Sequence, residues 1–212
     1  HEIHMKKLDG VVFKVDFEKA YDKIKWPFLQ QALRMKGCHQ AWRHQVESFT
    51  QKGSVGIKVN DDIGHYFQTH KGLRQGDSLS PLNFDLAADA LAIMLDNARK
   101  NGLVKGLAAD LIEDGVGILQ YADDTVLCFE HDIDKAVNVK LLLYLFELMS
   151  GLKINFMKSE ILCVGGDDDI LKAYADIFDC QIGHFPMKYL GVPMTFSSPR
   201  VADWDFLEAR YI

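Results

Sequence analysis

Gly117-Ile118-Leu119-Gln120-Tyr121-Ala122-Asp123-Asp124-Thr125-Val126-Leu127-Cys128-Phe129 sets two short apolar runs on either side of adjacent aspartates. Side chains alternate faces along a strand. Two such runs, separated by so few residues, predict a β-hairpin with Tyr121-Ala122-Asp123-Asp124 at its tip. Adjacent carboxylates repel each other, and burying them is costly unless a cation compensates. The pair therefore predicts a divalent-metal site. A second acidic strand lies far upstream, in Val11-Val12-Phe13-Lys14-Val15-Asp16-Phe17. One aspartate at the end of a β run and a distant pair on a hairpin form the donor set of a two-metal phosphoryl-transfer site.

Around these two strands the sequence reads as a mixed domain. Leu8–Phe17 predicts a strand. Trp26–Met35 predicts a helix with Pro27 in its first turn and Gly37 as its stop. Ala41–Thr50 is a second helix. Ser54–Asn60 and His65–Thr69 read as strands paired around Asp61–Gly64, followed by a Gly-rich turn over Lys71–Ser80. Pro81–Lys100 carries apolar residues at helical spacing, with Ser80-Pro81 as its opening. Asp134–Met149 predicts a helix ended by Gly151, and Lys158–Val164 a strand. Asp167-Asp168-Asp169 reads as an N-terminal cap and dipole complement for a helix to Phe178. Met187–Met194 predicts a strand, Trp204–Tyr211 a helix, and Phe196–Arg200 the domain boundary. Irregular alternation with hairpins points to an α+β layered fold rather than a doubly wound parallel sheet.

Composition narrows the class. The chain has 212 residues, 48% hydrophobic and 25% charged, enough for a substantial core. Its formal net charge is −6, which runs against a basic nucleic-acid footprint, although catalytic carboxylates contribute to that count. Cys38, Cys128, Cys163 and Cys180 lack the spacing of a zinc site or disulfide framework, which points to reduced thiols. The scattered histidines do not suggest a metal site. No apolar stretch is long enough to span a bilayer. A start at His1 without methionine, and an end in the opening of a helix, predict a fragment of a larger polypeptide.

Several separated segments resemble one family, the reverse transcriptases of non-LTR (LINE-type) retrotransposons, particularly the plant elements. They are Phe13-Lys14-Val15-Asp16-Phe17-Glu18-Lys19-Ala20-Tyr21-Asp22, Gly72-Leu73-Arg74-Gln75-Gly76-Asp77-Ser78-Leu79-Ser80-Pro81-Leu82, Tyr121-Ala122-Asp123-Asp124, Gly151-Leu152-Lys153-Ile154-Asn155 with Lys158-Ser159, and Lys188-Tyr189-Leu190-Gly191. They occur in the family's order and cover nearly the whole chain. Ser78 stands where plant elements usually have proline. Asn83 stands where an apolar residue is usual, and a buried Asn83 needs a hydrogen-bond partner.

The resemblance implies a polymerase palm with partial fingers over residues 1–195, in the right-hand reverse transcriptase architecture. Residues 196–212 then begin a thumb or connector. Asp16, Asp123 and Asp124 match the family's metal-binding acids, with the Phe17 backbone carbonyl as a further ligand. They imply two magnesium ions, for which manganese can substitute. One ion would activate the primer 3′-hydroxyl; the other would hold the triphosphate and leaving pyrophosphate. Tyr21 falls where the family carries an aromatic steric gate against ribonucleotides. Arg74, Gln75 and Gly76 match nucleotide- and template-contacting positions. Lys158 matches a proton donor or electrostatic stabiliser for pyrophosphate, and Tyr189, Leu190 and Gly191 a primer-gripping hairpin.

The implied activity is RNA-directed DNA polymerisation from an RNA template, a DNA primer and deoxynucleoside triphosphates, with no membrane partner. The family's basic fingertips, most of its thumb and its endonuclease domain have no counterpart here. The resemblance implies a parent polyprotein with an endonuclease and a fragment inactive by itself, and together with the reduced thiols a nuclear and cytoplasmic location. Two other readings stay open at this point: a non-catalytic relic or domesticated palm fragment, and an intron maturase-type reverse transcriptase.

Overall fold

The computed structural model describes residues 9–51, 53–108, 115–195 and 204. In chain order its elements are β1 (Gly10–Val15), α1 (Ala20–Lys23), α2 (Trp26–Met35), α3 (Gln40–Gln51), β2 (Ser54–Val55), β3 (Lys58–Val59), β4 (Asp62–Ile63), β5 (Phe67–Gln68) and α4 (Ser80–Lys100). There follow β6 (Ile118–Tyr121), β7 (Asp124–Phe129), α5 (Ile133–Ser150), a 3-10 turn (Phe156–Lys158), β8 (Glu160–Val164), α6 (Asp168–Phe178), β9 (Gln181–Ile182), β10 (Met187–Tyr189) and β11 (Val192–Met194). The chain forms two compact units, one of His1–Asp16, Leu95–Leu142 and Asn155–Ile212, the other of Phe17–Met94 and Leu143–Ile154. Among the described residues no helix is long and apolar enough to cross a membrane.

The first unit is built on a five-stranded sheet of order β6-β7-β1-β8-β9, antiparallel except for the β8–β9 pair. β1 is central because Gly10-Val11-Val12-Phe13-Lys14-Val15 is apolar on both sides of the pleat, and all but Lys14 are buried. On one face Val12 meets Val126, Cys128, Leu162 and Val164, covered by Leu107 and Met187. On the other, Phe13 packs on Phe178 with ring centroids 4.5 Å apart. Phe129 also touches Phe178 and Tyr174, so α6 covers that face. Asp167 caps α6 by accepting the Ile170 N–H at 2.9 Å, as the acidic run predicts. These layers are the expected α+β fold.

In the second unit, α2 has the predicted bounds, with Trp26, Leu29, Ala32 and Leu33 along its buried stripe. Downstream, the two predicted strands form two nested ladders instead: β2 pairs with β5, and β3 pairs with β4. Asn60 and Asp61, both at positive φ, make the inner turn. Short polar side chains tolerate that conformation.

Three other expectations are corrected. The 3-10 turn occupies Phe156–Lys158, so the strand expected from Lys158 starts at Glu160. Met187–Met194 is a hairpin, with Leu190 and Gly191 at positive φ between Tyr189 and Val192. Ser80 lies inside α4, buried, rather than capping it; the preceding turn is closed by Asp77, whose carboxylate accepts the Leu79 N–H at 3.1 Å. The helix expected over Trp204–Tyr211 and the segment 196–212 lie outside the described residues, except Trp204.

Candidate active site

The acidic cluster is set by strand register. β6 and β7 pair down to Tyr121↔Asp124, leaving Ala122 and Asp123 as a two-residue turn. Ala122 has φ +50°, a region non-glycine residues seldom occupy. β7 pairs with β1 down to Val15↔Thr125, so the next residues of the two strands are Asp16 and Asp124. Asp16, Asp123 and Asp124 therefore lie at one end of neighbouring strands, and all three are exposed. Among the described residues none has an ion-pair partner. No trio of His, Cys, Asp or Glu converges closely enough there to enclose an ion. The donors nevertheless suit a hard divalent cation, which commonly takes one or two carboxylates and fills its shell with water and phosphate.

Asp16 and Lys158 are linked through a single turn. The β1–β8 pairing stops at Lys14↔Glu160, and the 3-10 turn takes over. The Asn155 N–H donates to the Asp16 carbonyl at 2.8 Å. The Asp16 N–H donates to Ser159 Oγ at 3.0 Å. Lys158 is exposed between these two anchors. Tyr189 also belongs to this region. Its burial, and next the Asp124 charge, hold its phenol above the usual range. Leu190 and Gly191 form the turn after it, with Leu190 exposed.

In the second unit, Phe17 packs its ring near Phe146 and forms an isolated bridge with Ile154. The flanking bonds run from Glu18 N–H to the Lys153 carbonyl and from Asn155 N–H to the Asp16 carbonyl. Phe17 is thus a non-hydrogen-bonded pair position, and that ladder leaves its carbonyl unused. The Tyr21 ring stacks on Phe84 at 4.6 Å. The Tyr21 carbonyl accepts the Leu73 N–H, and the Ile24 carbonyl accepts the Gly72 N–H, each at 2.7 Å. Trp26 Nε1–H donates to the Gly72 carbonyl at 2.7 Å.

Gly72 has φ +90°, and a Cβ there would lie 2.8 Å from the Asp22 carbonyl oxygen; only glycine fits. These contacts tie the Tyr21 segment to the loop bearing Arg74, Gln75 and Gly76. Arg74 and Gln75 line a cavity of about 1030 Å³ together with Phe49, Phe67 and Asn83. Gly76, at φ +87°, has open space where a side chain would be.

The structure thus brings Asp16, Asp123, Asp124, Tyr189 and the Lys158 turn to one region of the first unit. It joins Tyr21 to the Arg74-Gln75-Gly76 loop in the second. Sequence reasoning missed Ser159 as a partner of Asp16 and Trp26 as a partner of Gly72. Neither contact leaves a local signature, because both span long separations.

A mostly antiparallel sheet with three aspartates at one end and α6 across one face is the arrangement expected of a polymerase palm. The family model described as "Reverse transcriptase (RNA-dependent DNA polymerase)" matches residues 1–194. The chain belongs to the reverse transcriptase family. The Pol polyprotein from type-1 retrotransposable element R2 of Popillia japonica is 26% identical over 137 residues, covering 63% of this chain and 22% of that protein. The corresponding R2 protein of Nasonia vitripennis is 29% identical over 125 residues, covering 58% of this chain and 11% of that protein. The type-2 R2DM polyprotein of Drosophila melanogaster is 24% identical over 203 residues, covering 94% and 17%.

The chain therefore spans no more than about a fifth of these curated relatives. They support a reverse transcriptase domain of the non-LTR retrotransposon kind; being insect proteins, they lend no support to the plant subclass. Among solved structures, apo telomerase of Candida tropicalis truncated from its C-terminal domain superposes with TM-score 0.59 at 14% identity, over 78% of this chain and 33% of that one. Telomerase of the same yeast with the TWJ fragment of telomeric RNA gives 0.58 at 14% identity, over 88% and 28%. These likenesses concern the fold. The reverse transcriptase family works with divalent metal ions, and the aspartate donors fit that requirement.

Proposed function

We propose that this chain is the palm, with part of the fingers, of an RNA-directed DNA polymerase. It would extend a DNA primer on an RNA template with deoxynucleoside triphosphates, inside a longer LINE-type polyprotein found in nucleus and cytoplasm. The observation that carries this reading is the register placing Asp16 beside Asp124, with Asp123 on the adjoining turn. Two magnesium ions, when bound, would supply activation of the primer hydroxyl and charge neutralisation of the triphosphate.

The remaining roles fall to this chain's own groups. Asp16, Asp123 and Asp124 offer hard oxygens without a competing ion pair among the described residues. Lys158, exposed on its turn, faces no carboxylate partner among the described residues and is available to stabilise or protonate departing pyrophosphate. Tyr21 presents an aromatic ring, backed by Phe84, against the sugar of the incoming nucleotide. Arg74 and Gln75 offer a guanidinium and an amide to phosphate and base, while Gly76 lets the ligand approach the backbone. The Tyr189-Leu190-Gly191 hairpin supports the primer end. Residues 1–195 make the palm and partial fingers on this reading, and 196–212 lead into the thumb.

The test is primer extension on poly-rA with oligo-dT, magnesium and dTTP. It compares this chain, its Asp123→Asn variant, and a version lengthened at both ends within its polyprotein. Extension by the long wild-type protein and none by its Asp123→Asn counterpart is expected. A folded long protein that extends nothing would rule the polymerase reading out.

A further inference from the structure

Asp16 lies one residue beyond the last paired residue of β1 on the β7 side, and two beyond it on the β8 side. Its backbone N–H therefore has no strand to donate to. That donor is taken by a side chain: Ser159 Oγ accepts it at 3.0 Å across 143 residues of sequence. The same hydroxyl donates to the Asn155 carbonyl at 2.9 Å, which points its lone pairs toward Asp16. The loop answers in the other direction, since the Asn155 N–H donates to the Asp16 carbonyl at 2.8 Å. Both peptide groups flanking the Asp16 Cα are thus held by one turn, Asn155–Ser159. Ser159 is fully buried, its own N–H closes the turn onto Asn155 and Phe156, and its neighbour Lys158 is exposed.

Fixing both flanking peptides fixes the direction in which the Asp16 side chain leaves the backbone. The carboxylate itself has no hydrogen-bond or ion-pair partner among the described residues, so the backbone is what aims it. We infer that Ser159 is a positioning residue: its buried hydroxyl orients Asp16 toward the Asp123-Asp124 turn and sets the spacing to Lys158. The inference rests on the reading of Asp16 as a metal ligand. It assigns no chemistry to Ser159 itself. Groups that orient a ligand from behind typically change metal affinity about 10- to 100-fold when removed.

The test is manganese binding to this chain, followed by electron paramagnetic resonance of the free ion. Ser159→Ala, Ser159→Cys and Ser159→Thr are compared with wild type and with Asp16→Asn. Circular dichroism checks folding, and Ser159→Cys keeps the side-chain volume should the alanine variant unfold. Expected is manganese binding about tenfold weaker in the alanine or cysteine variant, with threonine restoring it. In the polyprotein, primer-extension kcat at low manganese should fall with them and recover at saturating manganese, at unchanged KM for dTTP. A merely structural role would not be rescued by metal. Binding unchanged in a folded Ser159→Ala protein, while Asp16→Asn loses it, would overturn the assignment. Binding unchanged in Asp16→Asn as well would instead remove the metal-site reading on which it stands.

Discussion

The ring of Tyr21 lies on the ring of Phe84, with centroids 4.6 Å apart and planes inclined by 18°. Phe84 is fully buried, so its ring is a fixed platform. Tyr21 is half-buried, and the segment around it is pinned by the Leu73 N–H and Gly72 contacts. A rigidly backed aromatic face is what exclusion of a 2′-hydroxyl requires. We expect Tyr21→Ala, in the full polyprotein, to accept ribonucleotides at least tenfold more readily relative to deoxynucleotides, and Tyr21→Phe to keep the discrimination. Competition between ATP and dATP on a poly-rU template reads this out. An unchanged ratio in Tyr21→Ala would remove the gate from this position. The alanine variant should also lose about 1–3 kcal/mol of stability, because it gives up the stack and its buried area.

Asp123→Asn should separate activity from stability. Asp123 sits on the hairpin turn beside Asp124, exposed and without an ion pair among the described residues. Replacing one of two adjacent charges with an isosteric amide relieves repulsion worth a few tenths of a kcal/mol at an exposed site. Polymerase activity of the polyprotein should disappear, while the urea midpoint of this chain stays level or rises slightly. A drop of more than about 1 kcal/mol would mean the carboxylate has a structural role that the strand register does not reveal.

How far these features could be read from sequence depended on how local their causes are. The Tyr121–Asp124 tip was legible because two apolar runs close a hairpin within a few residues. α2 was legible to its last residue because Pro27, Gly37 and a buried stripe mark it. The hairpin at Leu190-Gly191 was legible only through the family resemblance, since leucine at positive φ carries no local turn signature and is held there by the surrounding pairs. The two nested ladders were missed because Asn60, not Asp61-Asp62-Ile63-Gly64, begins the inner turn. Ser159 looked like a motif companion of Lys158. Its bond to Asp16 is a tertiary contact that no window of sequence contains.

The thiols provide a pH signature. Burial pushes Cys128 up to about 12 and Cys163 up to about 11. Cys180 is also pushed to about 12, first by burial and next by the Asp179 charge, against a smaller opposing effect of Lys140. Unfolded thiols ionise near 9.0. The folded values are raised, so the unfolded chain loses these protons first as pH rises. Their stabilising contribution is complete below pH 9 and is lost progressively between 9 and about 12. The urea midpoint should fall across that window, and Cys128→Val should make the fall shallower. At pH 8, iodoacetamide followed by mass spectrometry should leave these three thiols largely unmodified in the native protein, with all alkylated in urea. Rapid native labelling of Cys128 would contradict its burial in the sheet core.

Asn83 presents the opposite case, a polar group where packing asks for an apolar one. It is 4% exposed, and its Oδ1 has no hydrogen-bond partner among the described residues. A buried acceptor left unpaired costs about 1–3 kcal/mol of desolvation. Replacing it with an apolar side chain of similar size removes that cost. Asn83→Leu should therefore stabilise this chain by about 1 kcal/mol, measured as a higher urea midpoint with an unchanged slope. Asn83→Ala should gain less, because it opens space beside the cavity already lined by Phe49 and Phe67. Because Asn83 also lines that cavity with Arg74 and Gln75, the same leucine variant in the polyprotein tests whether its amide contributes to binding. A rise in the KM for deoxynucleotide alongside the gain in stability would show an acceptor kept at a thermodynamic cost for its ligand. A gain in stability with kinetics unchanged would show a polar residue the fold tolerates without using.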